Sequence, residues 1–242
     1  MKDHTVIFKD LGLIDYKSAW DHQEKLLAEN VGIKAVLRSQ ESISQGIEKD
    51  LYTKNYFLLC EHPPVYTLGK SGSKDNVLMS DDELVKNNIE FFNTNRGGDI
   101  TFHGLQQIVG YPILDLENYY TDIGKYLRNL EEVIIKTIAE YGILGDRSKG
   151  ETGVWVDPDI KGKERKICAI GVRCSRWITM HGFALNVNTD LSYFNNIIPC
   201  GIQNKQVTSI EKELGRKVDY EEVKQKIKKN FEIVFESTLV NE

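Results

Sequence analysis

The chain is poor in residues that mark special compartments or special scaffolds. Of its 242 residues, five are proline and four are cysteine. No Pro/Ser-rich linker divides it, so one domain over 1–242 is expected, long enough to bury a sizeable core. Cys60, Cys168, Cys174 and Cys200 include no CxxC pair and are too few for a disulfide scaffold in a chain of this length, which points to reduced thiols. No apolar run reaches the roughly 18 residues of a membrane helix, and Thr5-Val6-Ile7-Phe8 is too short for a secretory signal. A cytoplasmic protein is therefore expected. Internal repeats and low-complexity tracts are missing as well. His62, His103 and His181 have no partner at HxH, HxxxH or CxxH spacing, so no metal site is expected.

What is present reads as an ordinary soluble protein: 40% hydrophobic and 28% charged residues with a formal net charge of -5. Apolar residues at three- and four-residue spacing predict helices over 15–29 with Asp15 as N-cap, over 122–141 with Gly142 as a stop, and over 219–235 with one lysine-rich face. Short β-branched and aromatic runs predict strands over 56–60, 153–156, 167–172 and 177–187. The last two are expected to form a hairpin around Arg173-Cys174-Ser175-Arg176. Helices and strands mixed without strict alternation argue for an α+β fold.

Three segments carry residue types suited to chemistry. Pro199-Cys200-Gly201 sets a cysteine in a turn, where a thiolate is a candidate nucleophile; a lone cysteine is also, and more often, a small buried hydrophobe. Arg96-Gly97-Gly98-Asp99-Ile100-Thr101-Phe102-His103-Gly104 has paired glycines that let backbone approach a ligand, with Arg and His flanking them. It is neither a GxxxxGK[ST] nor a GxGxxG loop, and a plain glycine turn is the alternative. Lys166 opens a strand at a point where its side chain could turn inward, and an ammonium there would favour a nearby thiolate. Between 161 and 176, six basic residues face one acidic residue, a local basic patch that suits an acidic partner or is a solvated hairpin tip.

Read together, these segments resemble the lipoyl(octanoyl) transferases of lipoate biosynthesis. His62-Pro63-Pro64-Val65-Tyr66-Thr67-Leu68-Gly69, Arg96 to Gly104, Val109 to Leu116, Lys166 to Arg173, His181 to Val187 and Pro199-Cys200-Gly201 follow in the family's order, covering about 55–210. The resemblance implies an α+β domain of the biotin/lipoate protein ligase type, with mixed sheets around an acyl tunnel. It implies Cys200 as the acylated nucleophile and Lys166 as its proton-handling partner. Arg96, Gly97, Gly98, Asp99, Ile100, Thr101, Phe102 and His103, with Ala169, Ile170, Gly171, Gly182, Phe183 and Ala184, are the implied substrate contacts. Octanoyl-acyl carrier protein is the implied donor. Lipoyl domains of 2-oxoacid dehydrogenase E2 subunits and the glycine cleavage H protein are the implied acceptors. No cofactor, metal, nucleic acid or membrane is implied. The chain departs from the pattern at Leu105-Gln106, where the family has Pro-Gly, at Asp99 for Gln and at Ile198 for Asn. An ATP-dependent lipoate or biotin ligase, a cysteine thioesterase and a silent acyl-chain binder are the competing readings.

Overall fold

Three aspartates start the three long helices in the same way: each carboxylate accepts backbone N–H groups that the first turn leaves unpaired. Asp15 accepts from Ser18 N at 2.8 Å, Asp122 from Lys125 N at 2.9 Å, and Asp219 from Glu221 N and Glu222 N at 2.9 and 3.1 Å. The computed structural model describes residues 4–41, 51–198 and 206–241. Among them run β1 (Thr5–Leu13), α1 (Tyr16–Glu41), β2 (Asn55–Glu61), β3 (Val65–Leu68), α2 (Asp81–Lys86), β4 (Glu90–Asn93), β5 (Ile100–His103), β6 (Gln107–Ile113) and α3 (Ile123–Ala139). Then follow β7 (Gly145–Asp146), β8 (Val154–Val156), β9 (Arg165–Ser175), β10 (Ile178–Asn186), β11 (Gln206–Val207), α4 (Ile210–Leu214), α5 (Tyr220–Phe235) and β12 (Thr238–Asn241).

The larger sheet has the order β12-β1-β2-β6-β10-β9-β8-β7, with β11 added in parallel to β9. β12, β1 and β2 pair in parallel and the remaining neighbours are antiparallel, so the sheet is mixed. Its strands read as nearly continuous apolar runs because both faces are covered. In β2, Phe57 and Leu59 enter the core shared with α3 and α5, whereas Leu58 and Cys60 enter the core shared with α1. The smaller sheet, β4-β3-β5, encloses a separate core with Leu84 of α2.

Two expectations change. The hairpin turn is not 173–176: β9 runs on to Ser175, which pairs with Ile178, and the two-residue turn is Arg176-Trp177 with φ of 49° and 66°. Such turns favour Asn-Gly, so this pair carries no sequence signal; the carbonyl of Trp177 is held by Leu116 N at 2.8 Å. The first helix also continues twelve residues past 29, to Glu41. Its extension is fastened by Lys34, whose ammonium lies 2.8 Å from Asp115 and 2.9 Å from Glu117 with 5% of its side chain exposed. None of the helices among the described residues is long and apolar enough to cross a membrane.

Removing one member of a buried ion pair strands the other charge. Lys34→Met should therefore lower stability by about 3–5 kcal/mol, read from urea unfolding; a loss below about 1 kcal/mol would show that Asp115 needs no cation.

Candidate active site

A cavity of about 650 Å³ opens where the glycine loop of the smaller sheet meets β9 and β10. That volume lies within the range of about 300–1,000 Å³ common for small-molecule sites. Lys166 and the stretches 96–101, 169–171 and 182–184 line it, as does His103. Phe102, expected among the contacts, is not a lining residue. Strand alternation turns it away from Thr101 and His103, into the small-sheet core, where its ring stacks on Tyr193 at 4.5 Å. Pro199, Cys200 and Gly201 lie outside the described residues. The chain before them is anchored by Ile198 N donating to Asn76 O at 2.8 Å, and Asn76 Nδ2 in turn donates to Asp99 at 3.0 Å. The chain after them resumes in β11, where Val207 pairs with Lys166 itself.

Both paired glycines line the cavity, and Gly97 N–H donates to Val172 O at 2.9 Å, tying the loop to β9. A Cβ on Gly171 would stand 2.8 Å from Gly97 O, so only glycine allows this crossing. Arg96 is likewise part of the wall: its guanidinium donates to Thr67 O at 2.6 Å, Thr67 Oγ1 at 2.9 Å and Gly97 O at 3.0 Å. His103 uses both ring nitrogens, Nδ1–H donating to Gln107 Oε1 at 2.9 Å and Nε2 accepting from Thr67 Oγ1 at 3.3 Å.

The walls are polar yet mostly uncharged. Burial, followed by the charges of His62 and Arg96, pushes the pKa of His103 down to about 3. Burial and then Arg96 do the same to His181, also to about 3, and burial lowers His62 to about 4. Tyr16, a lining residue, is raised to about 12 by burial. His181 donates from Nε2 to Asn95 Oδ1 at 2.7 Å, and its buried Nδ1 has no hydrogen-bond partner among the described residues.

Charge gathers around Lys166. It is turned inward, 17% exposed, with Nζ 4.6 Å from the Trp155 ring centre and 3.9 Å from Glu151 Oε2. Glu151 and Thr152 come from the loop before β8, a contribution that sequence reading missed because no motif marks it. The loop is clamped from below by Glu131 of α3, whose fully buried carboxylate accepts from Gly153 N at 3.0 Å while Arg128 and Arg147 neutralise it. Gly153, at φ 122°, lies so close to β9 that a Cβ would meet Cys168 O at 2.6 Å. Tyr16, Tyr111, Ile123, Leu127 and His181 are further lining residues outside the expected set: Tyr16 comes from α1, Ile123 and Leu127 from α3, and Tyr111 and His181 from β6 and β10 of the sheet itself.

The family model of the lipoyl protein ligase A/B catalytic domain matches residues 15–232. An octanoyltransferase of Christiangramia forsetii is 55% identical over 232 residues, covering 96% of each chain. Another, from Flavobacterium psychrophilum, is 57% identical over 237 residues, covering 98% of this chain and 99% of its own. The chain belongs to the octanoyltransferase family. The octanoyltransferase fold is shared with solved structures at far lower identity. A lipoate-protein ligase A bound with ATP superposes with a TM-score of 0.65 at 15% identity, covering 100% of this chain and 89% of that one. A bi-partite lipoate protein ligase of Thermoplasma acidophilum, described with its E2 lipoyl domain, also gives 0.65 at 15%, covering 98% and 87%. The α+β fold of the lipoate-ligase type is thus the observed one.

The neutral histidines set a pH dependence. Each binds its proton more weakly folded than unfolded, where the usual value is about 6.5. The unfolded chain then holds more protons between that value and the depressed one, so stability is full above about pH 6.5 and falls on acidification, by up to about 1.4 kcal/mol per pH unit for each histidine. Urea midpoints should drop between pH 7 and pH 5; a flat profile would contradict the buried neutral rings.

Proposed function

We propose that this octanoyltransferase takes its octanoyl group from octanoyl-acyl carrier protein, holds it as a thioester on Cys200, and passes it to a lysine of lipoyl domains, those of 2-oxoacid dehydrogenase E2 subunits and the glycine cleavage H protein. The observation that carries this reading is Lys166: a lysine turned into the cavity, on the strand that pairs with β11 six residues beyond Cys200.

The two steps balance without ATP. Cys200 thiolate attacks the donor thioester, the carrier thiolate leaves, and Lys166 supplies its proton. An acceptor amine then attacks the acyl-enzyme, Cys200 leaves as thiolate, and Lys166 regains a proton. The first step exchanges one thioester for another and the second forms an amide, which is downhill. Along β9, lining residues run from Lys166 to Val172, six steps of about 3.3 Å or roughly 20 Å of strand, against which an alkyl chain can lie. Ile123, Leu127, Ile170 and Phe183 supply apolar wall.

The basic patch offers less than its sequence suggests. Arg165 is engaged by Asp157 and Glu213, Arg173 by Glu24, and Lys166 points inward. Lys161, Lys163 and Arg176 remain exposed as the surface for an acidic carrier protein.

Intact-mass spectrometry after mixing with octanoyl-acyl carrier protein should show an octanoyl adduct in the wild type and none in Cys200→Ala, and the adduct should move to an apo lipoyl domain without ATP. Lys166→Ala should slow adduct formation by at least about 10²-fold. Modification of the lipoyl domain only with ATP and free octanoate would establish a ligase instead. Each buried methylene is worth about 0.8 kcal/mol, close to fourfold in rate, so a hexanoyl donor should lose about 15-fold in kcat/KM. Equal rates for hexanoyl and octanoyl donors would mean that the chain does not lie in the apolar part of the cavity.

A further inference from the structure

We propose that Glu151 is the binding site for the ammonium group of the incoming acceptor lysine; this rests on the acyl-enzyme reading above. The acceptor arrives as R–NH3+, after the first half-reaction has taken the proton of Lys166 and left its amine neutral. Glu151 then no longer faces a cation on Lys166, and a carboxylate lining the same cavity attracts the incoming ammonium, the more so where the local dielectric is low.

Glu151 is placed for that role. Its carboxylate is 3.9 Å from Lys166 Nζ, 17% of its side chain is exposed, and it lines the cavity beside Gly150 and Thr152. Its place is fixed from two sides. Glu131 holds the following backbone through Gly153 N at 3.0 Å, and Gly153 is pressed against Cys168 O of β9, with Lys166 Cε 3.6 Å from where a Cβ would be. Trp155 occupies another side of the Lys166 ammonium, at 4.6 Å. Of the basic side chains near the loop, Arg147 is engaged by Glu131 and Glu132 and Arg128 by Glu131, and Lys149 is exposed.

The same carboxylate makes the proton balance close. R–NH3+ gives one proton to Glu151 and becomes the free amine. Its nitrogen attacks the thioester carbon, the C–N bond forms, the C–S bond breaks, and the electron pair leaves on Cys200 sulfur. The second proton passes to the neutral amine of Lys166, and the amide keeps the third. Glu151 then releases its proton to water.

The test compares two acceptors acting on the same preformed octanoyl-enzyme: an apo lipoyl domain, whose lysine is cationic, and hydroxylamine, which is uncharged at neutral pH. In Glu151→Gln the ratio of lipoyl-domain to hydroxylamine deacylation rates should fall at least tenfold relative to wild type, and Glu151→Asp should recover most of it. A ratio within about twofold of wild type would overturn the assignment. Should Glu151→Gln fail to fold, judged by its urea midpoint, Glu151→Ala carries the comparison, and an unmoved ratio there overturns it equally. A wild type that forms no adduct on Cys200 sinks the acyl-enzyme reading and this one together, whereas a normal adduct with an unmoved ratio removes the Glu151 site alone.

Discussion

The cavity exists because two backbones touch. Gly97 donates its N–H to Val172 O and presses its carbonyl against the Cα of Gly171, and this crossing joins the smaller sheet to the larger one. Everything polar in the upper wall hangs from it. Arg96, one residue before the crossing, is aimed back at Thr67 of β3, and Thr67 in turn donates to His103 of β5. From His103 the hydrogen bonds continue through Gln107 to Asn186 Oδ1, and Asn186 donates to Thr208 O just beyond β11. Such a buried relay is stabilising only when every member is satisfied, so a side chain at Gly171 would disturb residues well beyond its own contacts.

Much of this architecture was legible in the sequence, for identifiable reasons. The helices over 122–141 and 219–235 are legible because each buries one apolar stripe, the first followed by Gly142 and the second backed by a lysine-rich face, and the structure places their ends within two residues of the expected ones. The cavity-lining segments were visible because they are long motifs in a fixed order. What stayed hidden depends on contacts distant in sequence. The extension of α1 past residue 29 rests on Lys34 meeting Asp115, 81 positions away, and amphipathic spacing says nothing of that. Glu151 sits in an unremarkable loop, and its position depends on Glu131 beneath it.

The departure at Leu105-Gln106 shows how a side chain can replace a glycine. Gln106 adopts φ 62°, a conformation that L residues avoid at a cost of about 1–2 kcal/mol. It is held there from several directions: Glu61 accepts its N–H at 2.7 Å, its carbonyl accepts from Val187, Asn188 and Thr189, and its side-chain oxygen accepts from Asn188 Nδ2. Leu105 projects into solvent, 51% exposed. β6 therefore starts in register with β10 without the glycine that the sequence pattern leads one to expect.

The distribution of charge divides the work of the cavity. Burial keeps His103 and His181 uncharged at neutral pH, and Arg96 is wrapped by backbone oxygens, so the wall beside the alkyl-sized space carries dipoles in place of open charges. A long hydrocarbon can lie along such a wall at little electrostatic penalty, since Arg96 and His103 already have hydrogen-bond partners and the histidines are uncharged. Two charged side chains, Glu151 and Lys166, meet where the Glu151 loop reaches the start of β9. The proposed acyl transfer would use both environments in one space: a neutral one to take the chain out of water and a charged one to move protons at its carbonyl. The glycine crossing builds the first and the Glu131-anchored loop builds the second, and β9 connects them, carrying Lys166 near one end and Gly171 nearer the other.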